Sequence, residues 1–145
     1  MSKLVNIALS QYGVTQSKGS RHNPIVLGYF WEIGHRWVAT DETAWCSAFV
    51  NWVALKAKVE RSNALTARSW LEVGIEVKRP QLDDVVIFWR DRKSSWKGHV
   101  GFFIAYTQDM KHIYVLGGNQ NNQVNIKRYP ADRLLGFRRL SSINP

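Results

Sequence analysis

The only cysteine of the chain, Cys46, stands in the stretch ETAWCSAFVNW at residues 42–52. Sulfur attacks as the thiolate, and a helix N-terminus favours that form through its unpaired N–H groups and macrodipole. Cys46, Phe49, Val50, Val53, Ala54 and Ala57 recur at helical spacing, so Cys46 is expected in the first turn of a helix, just after Trp45. A nucleophilic cysteine also needs a base beside its sulfur and a third group to orient that base. A lone buried cysteine is more often an inert packing residue. Residue types alone leave both readings open.

Four histidines are available as the base. His22 lies in a polar loop and reads as a solvated surface residue. His35, beside Arg36 and Trp37 near a helix end, reads as a capping or packing residue. His112 follows Lys111 at a turn and reads as exposed. His99 differs: it follows Gly98 and opens the strand HVGFFIAY. The first residue of a strand sits at the rim of its sheet, where a side chain can reach a helix N-terminus packed on that sheet. On the next strand, VLGGNQ puts Asn119 near the end of an antiparallel partner. Its carbonyl there can accept from the imidazole and fix the tautomer. The candidate constellation is therefore Cys46, His99 and Asn119.

The elements that must hold these residues fall into two blocks. Leu4, Ile7, Ala8 and Tyr12 have helical spacing, and Asn23-Pro24 starts a second helix leading into IVLGYFWEIGHRW, which Gly28 and Gly34 weaken. Asp41 or Thr43 is the expected N-cap of the Cys46 helix. Residues 62–74 read as a turn and a short helix closed by Gly74. After Pro80 the runs VVIFW, HVGFFIAYT, IYVLGG, VNIKRY and LLGFRRL are rich in β-branched and aromatic residues and bounded by turns. Helices followed by a strand meander predict an α+β class, as one domain over residues 1–145.

In this order the motifs AWCSAFVNW, GHVGFF and VLGGNQ resemble those of papain-like cysteine peptidases and amidases of the NlpC/CHAP superfamily. The resemblance covers roughly residues 40–140 and includes RPQLDDVVIFW, similar to the family's turn into its first strand. It implies a papain-like fold: N-terminal helices on an antiparallel sheet, with the catalytic cysteine at a helix N-terminus. It also implies Cys46 as nucleophile, His99 as base and Asn119 as orienting residue. The reaction implied is hydrolysis of a peptidoglycan amide bond, within the stem peptide or between muramic acid and L-alanine. One departure is visible: Asp83 stands where the family usually has glycine, so the backbone of that turn is expected to differ.

Substrate contacts are expected from Trp45 and Trp96 as aromatic walls, and from Arg68 and Ser69 as partners of a stem-peptide carboxylate. The plainer readings are core packing for Trp45 and a solvated side chain for Arg68. A single cysteine excludes an internal disulfide, and the histidines show no metal-ligand spacing, so neither metal nor cofactor is expected. The net charge of +9 suits an anionic partner, here bacterial peptidoglycan, with an inhibitor or immunity protein as a further candidate. Neither nucleic-acid binding nor membrane insertion is expected, and the protein should be a monomer. The start MSKLVNIALSQYG does not read as a signal peptide, which points to synthesis in the cytoplasm and action on the wall after lysis or secretion. The competing readings are a non-catalytic basic module for a polyanion such as nucleic acid, and a papain-like hydrolase or acyltransferase acting on protein.

Overall fold

The computed structural model describes residues 2–17, 23–36 and 44–143. Helix α1 (Lys3–Leu9) buries Leu4, Val5 and Ala8. Helix α2 (Pro24–Glu32) begins as its Asn-Pro start predicts: the Asn23 side chain accepts from the Ile25 N–H at 2.9 Å, and Pro24 sits where a missing N–H costs nothing. It stops before Gly34, which turns the chain at φ 100°. Helix α3 (Cys46–Ala57) buries all six residues of its expected apolar stripe. The expected caps Asp41 and Thr43 lie outside the described residues. Trp45 holds the N-cap position without a capping side-chain bond, which makes Cys46 the first helical residue.

A 3-10 turn (Ala67–Glu72) leads into six strands: β1 (Ile75–Val77), β2 (Val85–Trp89), β3 (Gly98–Tyr106), β4 (His112–Gln120), β5 (Gln123–Pro130) and β6 (Leu134–Arg139). They form one antiparallel sheet in the order β1-β6-β2-β3-β4-β5. Strand β1 has no counterpart in the apolar pattern, because it is short, mostly exposed and held only at the sheet edge against β6. The class is α+β, and no helix among the described residues is long and apolar enough to cross a membrane.

The sheet is covered on both faces, which is why β2 and the first part of β3 read as unbroken apolar runs. Val85, Ile87, Val100, Phe102 and Leu116 pack towards Phe49, Val50 and Val53 of α3. Val86, Phe88, Phe103, Ile113, Val115 and Phe137 form a second cluster on the other face. Each such fully buried side chain contributes about 1.5–3 kcal/mol relative to exposure.

The start of β2 is tied down by its two aspartates. Asp84 is buried, meets the Arg139 guanidinium in two bonds of 2.9 Å and accepts the Gln81 N–H at 2.8 Å. Asp83 adopts φ 79°, the left-handed conformation that glycine enters most easily, so the substitution keeps a glycine-like turn. Its carboxylate accepts the Val5 N–H at 2.9 Å and so satisfies a free donor in the first turn of α1.

Candidate active site

Cys46 opens α3 and packs where β3 and β4 part. The β3–β4 ladder runs from Tyr106↔Ile113 to Phe102↔Leu116, leaving the start of β3 without a registered partner on that side. The Val100 N–H there favours the charged form of the Cys46 sulfur. Burial is the strongest influence on the thiol and pushes its pKa up. The N–H groups of Val100, Ser47 and Cys46, with the charge of Arg90, pull the other way without prevailing. The helix end therefore does not hold Cys46 as a resting thiolate, contrary to the expectation from its position alone.

His99 is buried on β3, opposite Phe88 of β2. Burial lowers its pKa to about 4; the charges of Lys127 and Arg90 add to this, while a hydrogen bond with Gln120 opposes it. The imidazole is thus neutral at pH 7. Its Nε2 lies 2.9 Å from Oε1 of Gln120. The Gln120 amide donates to the carbonyls of Val115 (3.1 Å) and Asn125 (2.8 Å) and to Asn125 Oδ1 (2.9 Å). With its NH₂ engaged, Gln120 presents its oxygen to the ring, so Nε2 carries the proton and Nδ1 keeps its lone pair.

The residue bonded to His99 is therefore Gln120, not Asn119. Strict alternation would put Asn119 on the His99 face of the sheet. The β4–β5 register shifts by one between Gly117↔Asn125 and Gln120↔Gln123, a bulge in which Asn119 takes φ 57°. One extra residue moves every later side chain to the opposite face, and Gln120 takes the place that Asn119 would have had. Gly117 leaves room for this: a Cβ there would lie 2.6 Å from Gln120 Oε1.

Two further groups hold the site, and neither carried a recognisable signal in the sequence. Tyr129 of β5 stacks on the His99 ring with centroids 4.6 Å apart and on Phe88 at 5.2 Å. Behind Cys46, buried Ser47 donates to the Ala64 carbonyl at 2.6 Å and accepts from Trp70 Nε1 at 3.0 Å. Buried Asn51 donates to the Ala64 carbonyl at 3.1 Å and accepts the Asn63 N–H at 2.9 Å. These bonds fasten the first turns of α3 to the segment after it.

The expected substrate contacts fare differently. Trp45 is fully buried, close to Tyr29 and Gly118, and its Nε1 donates to Gln16 at 3.1 Å, so it is a core residue and not a groove wall. Arg68 spends its guanidinium on the loop between β2 and β3, donating to the carbonyls of Lys97 (2.8 Å), Lys93 (2.8 Å) and Arg92 (3.1 Å). It braces that loop and does not present a free fork. The Ser69 hydroxyl bonds to the Thr66 carbonyl at 2.7 Å and lies 2.9 Å from that of Ser62. Trp96, 69% exposed on the braced loop, is open to contact. His35 lies 3.3 Å from the Asn63 carbonyl, His112 is half-buried at the start of β4, and His22 falls outside the described residues. A cavity of about 600 Å³ between α1 and the start of β2 includes none of the site residues.

No curated protein matches the chain. The CHAP domain model matches residues 38–119, more than half of the sequence, and spans Cys46, His99 and the bulge at Asn119. With its helix-led antiparallel sheet, the chain belongs to the CHAP domain family, whose members are hydrolases, amidases and peptidases, of peptidoglycan.

Proposed function

We infer that the chain cleaves one amide bond of peptidoglycan by thiol chemistry, within the stem peptide or between muramic acid and L-alanine. Delivery as a phage-type lysin or a secreted antibacterial effector fits this reading. What supports it is the CHAP match, which spans Cys46 at the start of α3 and, on β3, a His99 whose Nε2 is held by Gln120. With a raised thiol and a depressed imidazole, the resting pair is neutral. His99 Nδ1 then removes the thiol proton as the sulfur attacks the amide carbon, in general-base fashion. N–H groups in the first turn of α3 receive the developing oxyanion. The protonated imidazole gives its proton to the departing amine, leaving a thioester on Cys46. Water, activated by the same nitrogen, hydrolyses the thioester and restores the thiol. Tyr129 and Gln120 keep the ring in plane throughout.

The test is mass spectrometry of muropeptides released from purified sacculi by the wild-type protein and by Cys46→Ala. The wild type should release fragments with one new amine and one new carboxyl terminus, which names the bond, while Cys46→Ala should release none. Wild-type turnover by Cys46→Ala would end the reading.

A further inference from the structure

Arg90 continues β2 by one residue, its N–H bonded to the Lys97 carbonyl at 3.3 Å. Alternation along the strand puts its side chain on the face of Phe88, the face that carries His99 and Tyr129. Arg90 is exposed, and its guanidinium makes no hydrogen bond or ion pair with the described residues, including its neighbour Asp91. Lys127, two residues before Tyr129, holds its ammonium 5.5 Å from the centre of the Tyr129 ring and 3.3 Å from Asn121 Oδ1. Lys127 thus sits over the stacked pair of rings, Arg90 extends β2 on the same face of the sheet, and no carboxylate among the described residues neutralises either. The positive charge of Arg90 favours the charged form of Cys46 and opposes protonation of His99.

We propose that Arg90 and Lys127 form an anion subsite beside the Cys46–His99 pair, which selects a substrate with a free carboxylate next to the scissile amide. Arg90 offers a planar two-point fork and Lys127 a point charge, so together they fix both the position and the tilt of a carboxylate. A bound carboxylate would also offset the cations' effect on His99, easing its protonation when the substrate is present. The proposal rests on the hydrolase reading only for the identity of the amide.

Alkylation of Cys46 separates the two, because it requires no peptidoglycan. The sulfur attacks the CH₂ carbon of iodoacetate and of iodoacetamide alike, expelling iodide, and the two reagents differ in one negative charge. The ratio of their rates therefore cancels any change in thiol acidity. The wild type should favour iodoacetate by about 5- to 10-fold over the ratio for a small neutral thiol, as expected for an anion guided by two nearby charges. Arg90→Gln and Lys127→Gln should each lower the ratio about two- to fivefold. Both variants should melt as the wild type does, which a circular-dichroism scan records. A second arm compares soluble muropeptides bearing carboxylate or carboxamide at the same position: Arg90→Gln should raise KM more for the carboxylate form. A persistent iodoacetate preference without muropeptide turnover would sink the hydrolase reading and leave the subsite standing. A wild-type ratio equal to that of the small thiol would overturn the subsite, as would a ratio unchanged in Arg90→Gln. Failure of both reagents to reach Cys46 would overturn it too, because a subsite closed off from the sulfur cannot guide a substrate to it.

Discussion

His99 and Gln120 share one hydrogen bond of 2.9 Å, and Asn119 stands beside it without contributing that bond. Gln120→Ala should therefore lower kcat by about 10- to 100-fold, since it frees the ring and strands a buried Nε2–H. Asn119→Gly should change kcat far less, because glycine adopts the φ of 57° without strain. Equal losses in the two variants, measured on one muropeptide, would refute this division of roles. The histidine also leaves a mark on stability. Its pKa falls from 6.5 to about 4 on folding, so between these values the unfolded chain binds more protons. The stabilisation is complete above pH 6.5 and is lost as the pH falls towards 4. Its full size is about 3 kcal/mol, of which about 2 kcal/mol is gone by pH 5. Urea unfolding of the wild type and of His99→Gln should show this slope in the first and not in the second. Parallel slopes would mean that other groups govern the acid response.

At the scale of elements, the site depends on how closely α3 approaches the sheet. Gly118 sets that distance: a Cβ there would lie 2.8 Å from the Trp45 ring and equally close to Phe49 Cβ. Neither neighbour is a flexible chain end, so Gly118→Ala should destabilise the fold by about 1–3 kcal/mol. It should also lower kcat by displacing Cys46, the residue next to Trp45. A variant with unchanged melting temperature and turnover would show that the helix shifts freely at this point. The same elements explain what the sequence revealed and what it concealed. The stripe of α3 was legible because one-sided burial imposes a period on residue choice, and β2 and β3 because burial on both faces makes them unbroken apolar runs. The places of Cys46 in the first turn of its helix and of His99 near the start of its strand followed from those elements. The bulge in β4 was concealed, although Gly-Gly-Asn is a composition that permits one; alternation assumes an unbroken register and so selects Asn119. The fates of Trp45 and Arg68 were concealed as well. Residue type cannot tell a tryptophan seated over a glycine from one lining a groove, nor an arginine bonded to three carbonyls from one awaiting a carboxylate.

For the whole molecule, the net charge of +9 on 145 residues has to be set against the two cations beside His99. A basic chain is drawn to an anionic envelope over distances that salt controls, whereas contacts within the site act at short range. Exposed charges are screened beyond a Debye length of about 8 Å at physiological ionic strength. Binding to whole sacculi should therefore weaken steeply as sodium chloride rises from 50 to 500 mM, an about 10-fold range over which the Debye length shrinks severalfold. Cleavage of a soluble muropeptide should weaken less, and what dependence it retains should vanish largely in Arg90→Gln. The two dependences come from different parts of the same charge: scattered lysines and arginines for capture, Arg90 and Lys127 for the carboxylate. Sedimentation of sacculi with bound protein and turnover of the soluble fragment, measured across one salt series, separate them. If both fall in parallel, and the Arg90→Gln curve follows the wild type, the long-range field has no role of its own and the charge serves solubility.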